Sequence, residues 1–186
     1  MNSAQQILRD VFGYGEFRPG QEEVIATLTS GQSVLAVMPT GAGKSICYQI
    51  PAVMADRLTI VVSPLLALMD DQVAALRTNG VDVACIHSGQ TREQNIIEWR
   101  RVKDGAKLLY LSPERLMTER MLAALSAIQP TMFVVDEAHC ISKWGASFRP
   151  DYEHLSRLPD LFPESTVAAF TATADKATRD DIAEKL

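Results

Sequence analysis

A chain of 186 residues with 47% hydrophobic and 22% charged residues is the size of one domain, long enough to bury a sizeable core and too evenly composed for disorder. Its net charge of −5 excludes a general attraction to polyanions, so any nucleic-acid surface must be local. Three cysteines, Cys47, Cys85 and Cys140, lie far apart without a C-x-x-C pair, which excludes a disulfide framework or zinc site and fits core residues in a reducing compartment.

The opening stretch MNSAQQILRD has no apolar core of signal-peptide length, and no later apolar run is long enough to span a membrane. The expectation is a soluble, cytoplasmic chain with no membrane partner. Ser3 predicts a cap for a first helix through Ile7, Leu8 and Val11, stopping near Gly13. A second helix is expected with Pro19 in its first turn, running through Val24, Ile25 and Leu28 to Gly31. Between them, Tyr14 to Gln21 form an aromatic and polar connector that admits two readings. It clasps a flat ring, with Gln21 matching one edge of adenine, Arg18 beside it and Tyr14 on the face, or its aromatics staple a helix start into the core.

Val34 to Ser45 is the stretch around which the rest is organised. An apolar run breaks into Pro39-Thr40-Gly41-Ala42-Gly43 and restarts as a helix at Lys44-Ser45. A strand, a glycine turn and a helix start leave backbone N–H groups pointing into one concavity, which suits phosphate. Lys44 adds a mobile charge for the β- and γ-phosphates, and the Ser45 hydroxyl can hold Mg²⁺. The pattern G-x-x-x-x-G-K-[ST] puts an early glycine where this chain has Met38.

The helix after this turn is expected through Cys47, Ile50 and Val53. Strands follow at Leu58 to Val62, Val81 to Ile86 and Lys107 to Leu111, and helices at Leu65 to Leu76, after a Thr91 cap, and from Glu114 to Ile128 with a break near Thr118. Ser63-Pro64 and Ser112-Pro113 end two of the strands. Short buried strands alternating with helices predict an α/β fold, a doubly wound, mostly parallel sheet with helices on both faces and ligands at the carboxyl ends of the strands.

Thr131 to Val135 is a further apolar strand ending in Asp136-Glu137-Ala138-His139. Two acids directly after a buried strand point to a site, because ionised carboxylates are seldom buried without a partner. Asp136 can reach the Mg²⁺ sphere that Ser45 begins, and Glu137 can orient and deprotonate an attacking water. His139 suggests a coupler to neighbouring loops. The stretch Cys140 to Tyr152 then concentrates Trp144, Phe148 and Arg149 around Gly145 and Pro150. Its aromatics either stack bases while the cations meet phosphate, or pack as core side chains at i, i+4 spacing. Thr166 to Phe170 is expected as the last strand, ending in Thr171-Ala172-Thr173, where the hydroxyls either relay the γ-phosphate state or cap the helix from Asp175 to Leu186.

T-G-A-G-K-S at Thr40 to Ser45, D-E-A-H at Asp136 to His139 and T-A-T at Thr171 to Thr173 resemble the first RecA-like lobe of a superfamily 2 helicase of the DEAH-box type. With F-R-P-G-Q at Phe17 to Gln21, V-V-S-P-L at Val61 to Leu65, S-P-E-R-L at Ser112 to Leu116 and D-E-A-H-C-I-S-x-W-G-x-x-F-R-P at Asp136 to Pro150, the chain resembles the RecQ family of DNA helicases over nearly its whole length. The resemblance implies one RecA-like P-loop lobe over residues 1–186, with an adenine-reading unit at 1–31 and an ATPase core at 32–186, cut from a longer helicase. It implies ATP and Mg²⁺ as cofactors, with Tyr14, Arg18, Gln21 and Thr40 to Ser45 on the nucleotide and Ser45 and Asp136 on the metal. Lys44, Asp136 and Glu137 are the implied catalytic residues, and His139, Thr171 and Thr173 the coupling residues. Trp144, Phe148, Arg149, Ser63, Pro64, Ser112 and Pro113 are implied to meet DNA. The implied partners are single-stranded and partial-duplex DNA and a second RecA-like lobe of the same protein, at the nucleoid if the source is bacterial.

Overall fold

Six runs of apolar, mostly β-branched and aromatic residues form the strands of one sheet. In the computed structural model, which describes residues 3–186, they are β1 (Val34–Val37), β2 (Thr59–Val62), β3 (Val83–Ile86), β4 (Leu108–Leu111), β5 (Met132–Val135) and β6 (Thr166–Thr171). Met1 and Asn2, the start of the expected adenine-reading unit, lie outside the described residues. The sheet order is β1-β6-β5-β2-β4-β3 and every pairing is parallel. β2 to β6 are buried at every position, as sequences without in–out alternation require when helices cover both faces.

The covering helices are α1 (Ala4–Asp10), α2 (Gln21–Thr29), α3 (Lys44–Met54), α4 (Leu66–Thr78), α5 (Arg92–Lys103), α6 (Pro113–Leu116), α7 (Glu119–Ile128), α8 (Pro150–Glu153), α9 (Leu158–Leu161) and α10 (Lys176–Lys185). Alternate residues along each strand feed two cores. Val61, Val83, Tyr110, Val134 and Phe170 pack with Cys47 and Tyr48 of α3 and Met69, Val73 and Leu76 of α4. Ile60, Val62, Leu109, Phe133 and Val135 pack on the other face with Leu116, Leu125, Tyr152 and Ile182. Each large apolar side chain so buried contributes about 1.5–3 kcal/mol.

Helix boundaries follow local chemistry. Ser3 caps α1 by accepting from the Gln6 N–H at 3.2 Å. Thr91 and Gln94 form a reciprocal capping box on α5. The expected break near Thr118 is a cap between α6 and α7, the hydroxyl accepting from the Met121 N–H. One start needs correction: α2 begins at Gln21, with Pro19 outside it. Gly20 has φ 86°, a left-handed conformation that cannot continue a helix backwards to Pro19.

The order of strands fixes where function can sit. β6 lies between β1 and β5, with Val37 level with Thr171 and Val135 level with Ala169. The turn after β1, the tip of β5 and the tip of β6 therefore open on one edge of the sheet. Among the described residues, no helix is long and apolar enough to cross a membrane.

Candidate nucleotide site

The turn after β1 is shaped by two glycines, Gly41 at φ 83° and Gly43 at φ 78°, both in the left-handed region. Lys44 and Ser45 then open α3, so the turn and the positive end of the helix face the same space. Met38, where the usual pattern has glycine, is buried beneath the turn. Its N–H donates to the Thr171 carbonyl at 2.9 Å and its sulfur lies 3.8 Å from Cys47 Sγ. A large side chain is accommodated there because it points into the core and away from the cradle.

Gln21 is 4% exposed and reaches the same turn. Its Oε1 accepts from the Arg18 N–H at 2.8 Å, and its Nε2 donates to Gly43 O at 3.0 Å and Ala42 O at 3.4 Å. The Arg18 guanidinium donates to Gly41 O. Both ends of the Gln21 amide are thus held by the connector and the cradle, and a base reaching that edge would exchange these bonds for its own. Tyr14 is exposed and lines a cavity of about 260 Å³ together with Glu16, Arg18, Gln21, Gly43, Ser45, Gln49, Gln72 and Asn79. The ring-clasping reading of Tyr14 therefore has the space it needs.

Four residues of that lining, Glu16, Gln49, Gln72 and Asn79, are not among the site residues that the sequence marks. Gln49 Nε2 donates to Tyr110 OH at 3.1 Å, and Tyr48 OH donates to Gln72 Oε1 at 2.9 Å. The only sequence signal was a glutamine amid the apolar face of α3. Burial raises Tyr110 to about 12 and Tyr48 well above the usual tyrosine value, so both hydroxyls stay protonated.

On the far side of β6, Asp136 is 7% exposed at the tip of β5. Desolvation, then the neighbouring Glu137 charge, raises its pKa; Lys44 and His139 oppose the rise. Glu137 has φ 52°, a left-handed conformation that costs a non-glycine residue about 1–3 kcal/mol. His139 Nδ1 lies 2.7 Å from Thr171 Oγ1 and 3.5 Å from Glu137 Oε2, and Thr171 Oγ1 donates to Thr173 O at 3.1 Å. The histidine thus bridges the tips of β5 and β6.

After Asp136 the chain makes a 3₁₀ turn at Ala138–Ile141 and an irregular loop to α8. Trp144 is 78% exposed, which rules out the core reading for it. Phe148 is half-buried with Lys143 Nζ 5.9 Å from its ring centre, and Arg149 is exposed. The four residues of the other two expected contact points, Ser63, Pro64, Ser112 and Pro113, sit deeper than that expectation requires, because the strand ends that carry them are covered by helices. Ser63, Ser112 and Pro113 are buried and Pro64 is half-buried. The Ser63 hydroxyl accepts from the Leu65 N–H at 3.4 Å, whereas Ser112 Oγ has no partner among the described residues. Asp70, Cys85 and His87 bring three possible metal ligands together at the end of β3. The Gly89 N–H donates to His87 Nδ1, so Nε2 carries the proton that goes to Asp70 at 3.0 Å. That tautomer makes the cluster a clasp between α4 and β3, because a metal would need the Nε2 lone pair.

Comparison with known proteins agrees with this arrangement. Residues 18–182 match the DEAD/DEAH box helicase family. The chain is 48% identical over 185 residues to the ATP-dependent DNA helicase RecQ of Haemophilus influenzae, covering 99% of this chain and 30% of that protein. It is 44% identical over 189 residues to RecQ of Bacillus subtilis, covering 100% of this chain and 32% of that protein. The chain thus spans 30% to 32% of the length of these relatives. The crystal structure of a hypothetical ATP-dependent RNA helicase from Sulfolobus tokodaii shares the fold at a TM-score of 0.77, with 20% identity over 100% of this chain and 55% of that one. The Pyrococcus furiosus Hef helicase domain does so at 0.72, with 19% identity over 96% of this chain and 37% of that one. The strand order, the motifs at the strand tips and the near-complete coverage by RecQ sequences lead to one conclusion: this chain belongs to the DEAD/DEAH box helicases and is a RecA-like lobe of the RecQ type.

Proposed function

We propose that this chain is the ATP-binding lobe of an ATP-dependent 3′-to-5′ DNA helicase that couples hydrolysis to single-strand translocation and duplex unwinding in repair and recombination. The observation that carries the proposal is the convergence of three strand ends, with Lys44 and Ser45 after β1, Asp136 and Glu137 after β5, and Thr171 between them. The donor set fits Mg²⁺ with a triphosphate. Gly41 and Gly43 take the left-handed conformations that suit a phosphate-binding turn, and Asp136 is a buried carboxylate whose desolvation a bound cation would offset.

In this reading Thr40 to Gly43 wrap the phosphates, Lys44 reaches the β- and γ-oxygens, and Ser45 and Asp136 hold the metal. Bound Mg²⁺ neutralises charge developing on the transferred phosphoryl. Glu137, turned by its left-handed backbone, accepts a proton from the attacking water, while His139 ties its position to Thr171. Tyr14, Arg18 and Gln21 face the base. Trp144 and Phe148 stack bases of a single strand, and Arg149 meets its phosphates. The loops holding Ser63-Pro64 and Ser112-Pro113 present backbone and neighbouring side chains to the strand.

The relatives' names support DNA over RNA as the activating polymer, and their greater length supports a second lobe that supplies an arginine to the γ-phosphate. The test is turnover of ATP by the full-length protein that carries this lobe, with single-stranded DNA or RNA of matched length added. Stimulation by DNA well above that by RNA is expected. Equal or greater stimulation by RNA would identify an RNA-remodelling ATPase instead.

A further inference from the structure

The peptide group joining Asp136 to Glu137 is held at both of its ends. Its N–H donates to the Asp136 carboxylate at 2.9 Å, and its carbonyl oxygen accepts from the Tyr152 hydroxyl at 2.8 Å. The plane of this peptide sets the reference for the Glu137 φ of 52°, so whatever holds the plane aims the Glu137 carboxylate. Were the Asp136 carboxylate drawn to a cation, the Tyr152 hydroxyl would still hold this peptide.

Tyr152 belongs to α8, which closes the loop containing Trp144. The Arg149 N–H donates to Cys140 O at 2.9 Å and the Tyr152 N–H to Arg149 O at 3.0 Å, so the far end of the loop is fastened to its near end. Lys143 and Glu153 add an ion pair at 2.6 Å between the residues next to Trp144 and Tyr152. Trp144 is exposed while Tyr152 is fully buried, packed in the core that also holds Val135 and Ile141. The loop is thus tied to α8, and α8 meets the Asp136 carbonyl through the Tyr152 hydroxyl.

We infer that Tyr152 is a positioning residue which transmits occupancy of the Trp144 loop to Glu137 by holding the Asp136–Glu137 peptide. The inference rests on the proposed function, because it takes the loop's ligand to be single-stranded DNA and Glu137 to be the hydrolytic base.

The experiment is Tyr152→Phe in the full-length protein, reading ATP turnover with and without single-stranded DNA, the half-saturating DNA concentration and the melting temperature. The ratio of stimulated to unstimulated turnover is expected to fall about tenfold, while half-saturating DNA stays within about twofold. In a Trp144→Ala background the same change should lower that ratio no further, since both residues then act on one path. A ratio equal to the parent's, a fall of both rates by the same factor, or full additivity with Trp144→Ala overturns the inference and leaves the functional reading intact. Absence of DNA stimulation in the unmutated protein overturns the functional reading, and this inference with it.

Discussion

Gly43 answers to two constraints at once. Its φ is 78°, and a Cβ there would stand 2.3 Å from Gln21 Nε2. Gly43→Ala should cost about 1–2 kcal/mol in backbone strain and push the Gln21 amide off the cradle carbonyls. A fluorescent ATP analogue should bind at least about tenfold more weakly to the variant, a loss of about 1.4 kcal/mol. Unchanged affinity would show that the cradle is looser than its geometry implies. Asp136 presents the opposite balance. Burial raises its pKa, so the folded chain holds the proton more tightly than the unfolded chain. The resulting stabilisation is present below the ordinary carboxylate range and is lost as pH rises through the raised value. Above that raised value an ionised, buried carboxylate is left, which destabilises the metal-free fold. Asp136→Asn should therefore stabilise the metal-free lobe by about 1 kcal/mol while abolishing Mg²⁺-dependent hydrolysis in the full-length protein. A lower melting temperature for the variant would contradict this. The thiols give a simpler check. All three cysteines are buried, and burial pushes Cys47 up to about 11 and Cys85 up to about 12. A thiol reagent at pH 8 should label none of them in native protein and all three after denaturation.

At the scale of elements, α5 shows how much one cap carries. It has Val102 as its one buried residue, so its start depends on the box between Thr91 and Gln94 more than on packing. Thr91→Ala should cost about 1 kcal/mol, or about 2–4 °C in a domain of this size, with nucleotide binding unchanged. Such local chemistry is what made the elements legible in the sequence. The Ser3, Thr91 and Thr118 caps and the uninterrupted apolar strands each carry their signal within a few residues. Pro19 misled because the rule that favours proline at a helix start competes with Gly20, whose left-handed conformation holds the helix start at Gln21. Contacts between distant segments left no pattern to read. Gln49 meets Tyr110 across 61 positions and Tyr152 meets the Asp136 carbonyl across 16, and neither periodicity nor motif announces them. The acids, the lysine and the aromatics of the candidate site were visible as residue types; the pinned peptide that aims Glu137 required the fold.

For the whole molecule, the sheet order matters most. Placing β6 between β1 and β5 brings a phosphate cradle and a pair of acids to one edge, with His139 and Thr171 joining them. The proposed hydrolytic residues Lys44, Ser45, Asp136 and Glu137 would supply cradle, metal and base chemistry. A second cation opposite the γ-phosphate is expected from another lobe, and its absence lowers phosphoryl-transfer rates by about 10³–10⁵. The isolated 186-residue chain should therefore bind nucleotide yet turn it over at a rate near background, with or without DNA. Robust DNA-stimulated turnover by the isolated chain would mean that the site is complete within it.

The most direct test of the central claim is single-turnover ATP hydrolysis by the full-length protein bearing Glu137→Gln, measured beside ATP affinity at saturating single-stranded DNA. Loss of turnover by about 10²–10⁴-fold with affinity within about twofold is the result expected of a hydrolytic base. Hydrolysis at the parent rate would contradict the account, and would leave the chain as a nucleotide-gated binding module in which Glu137 is dispensable.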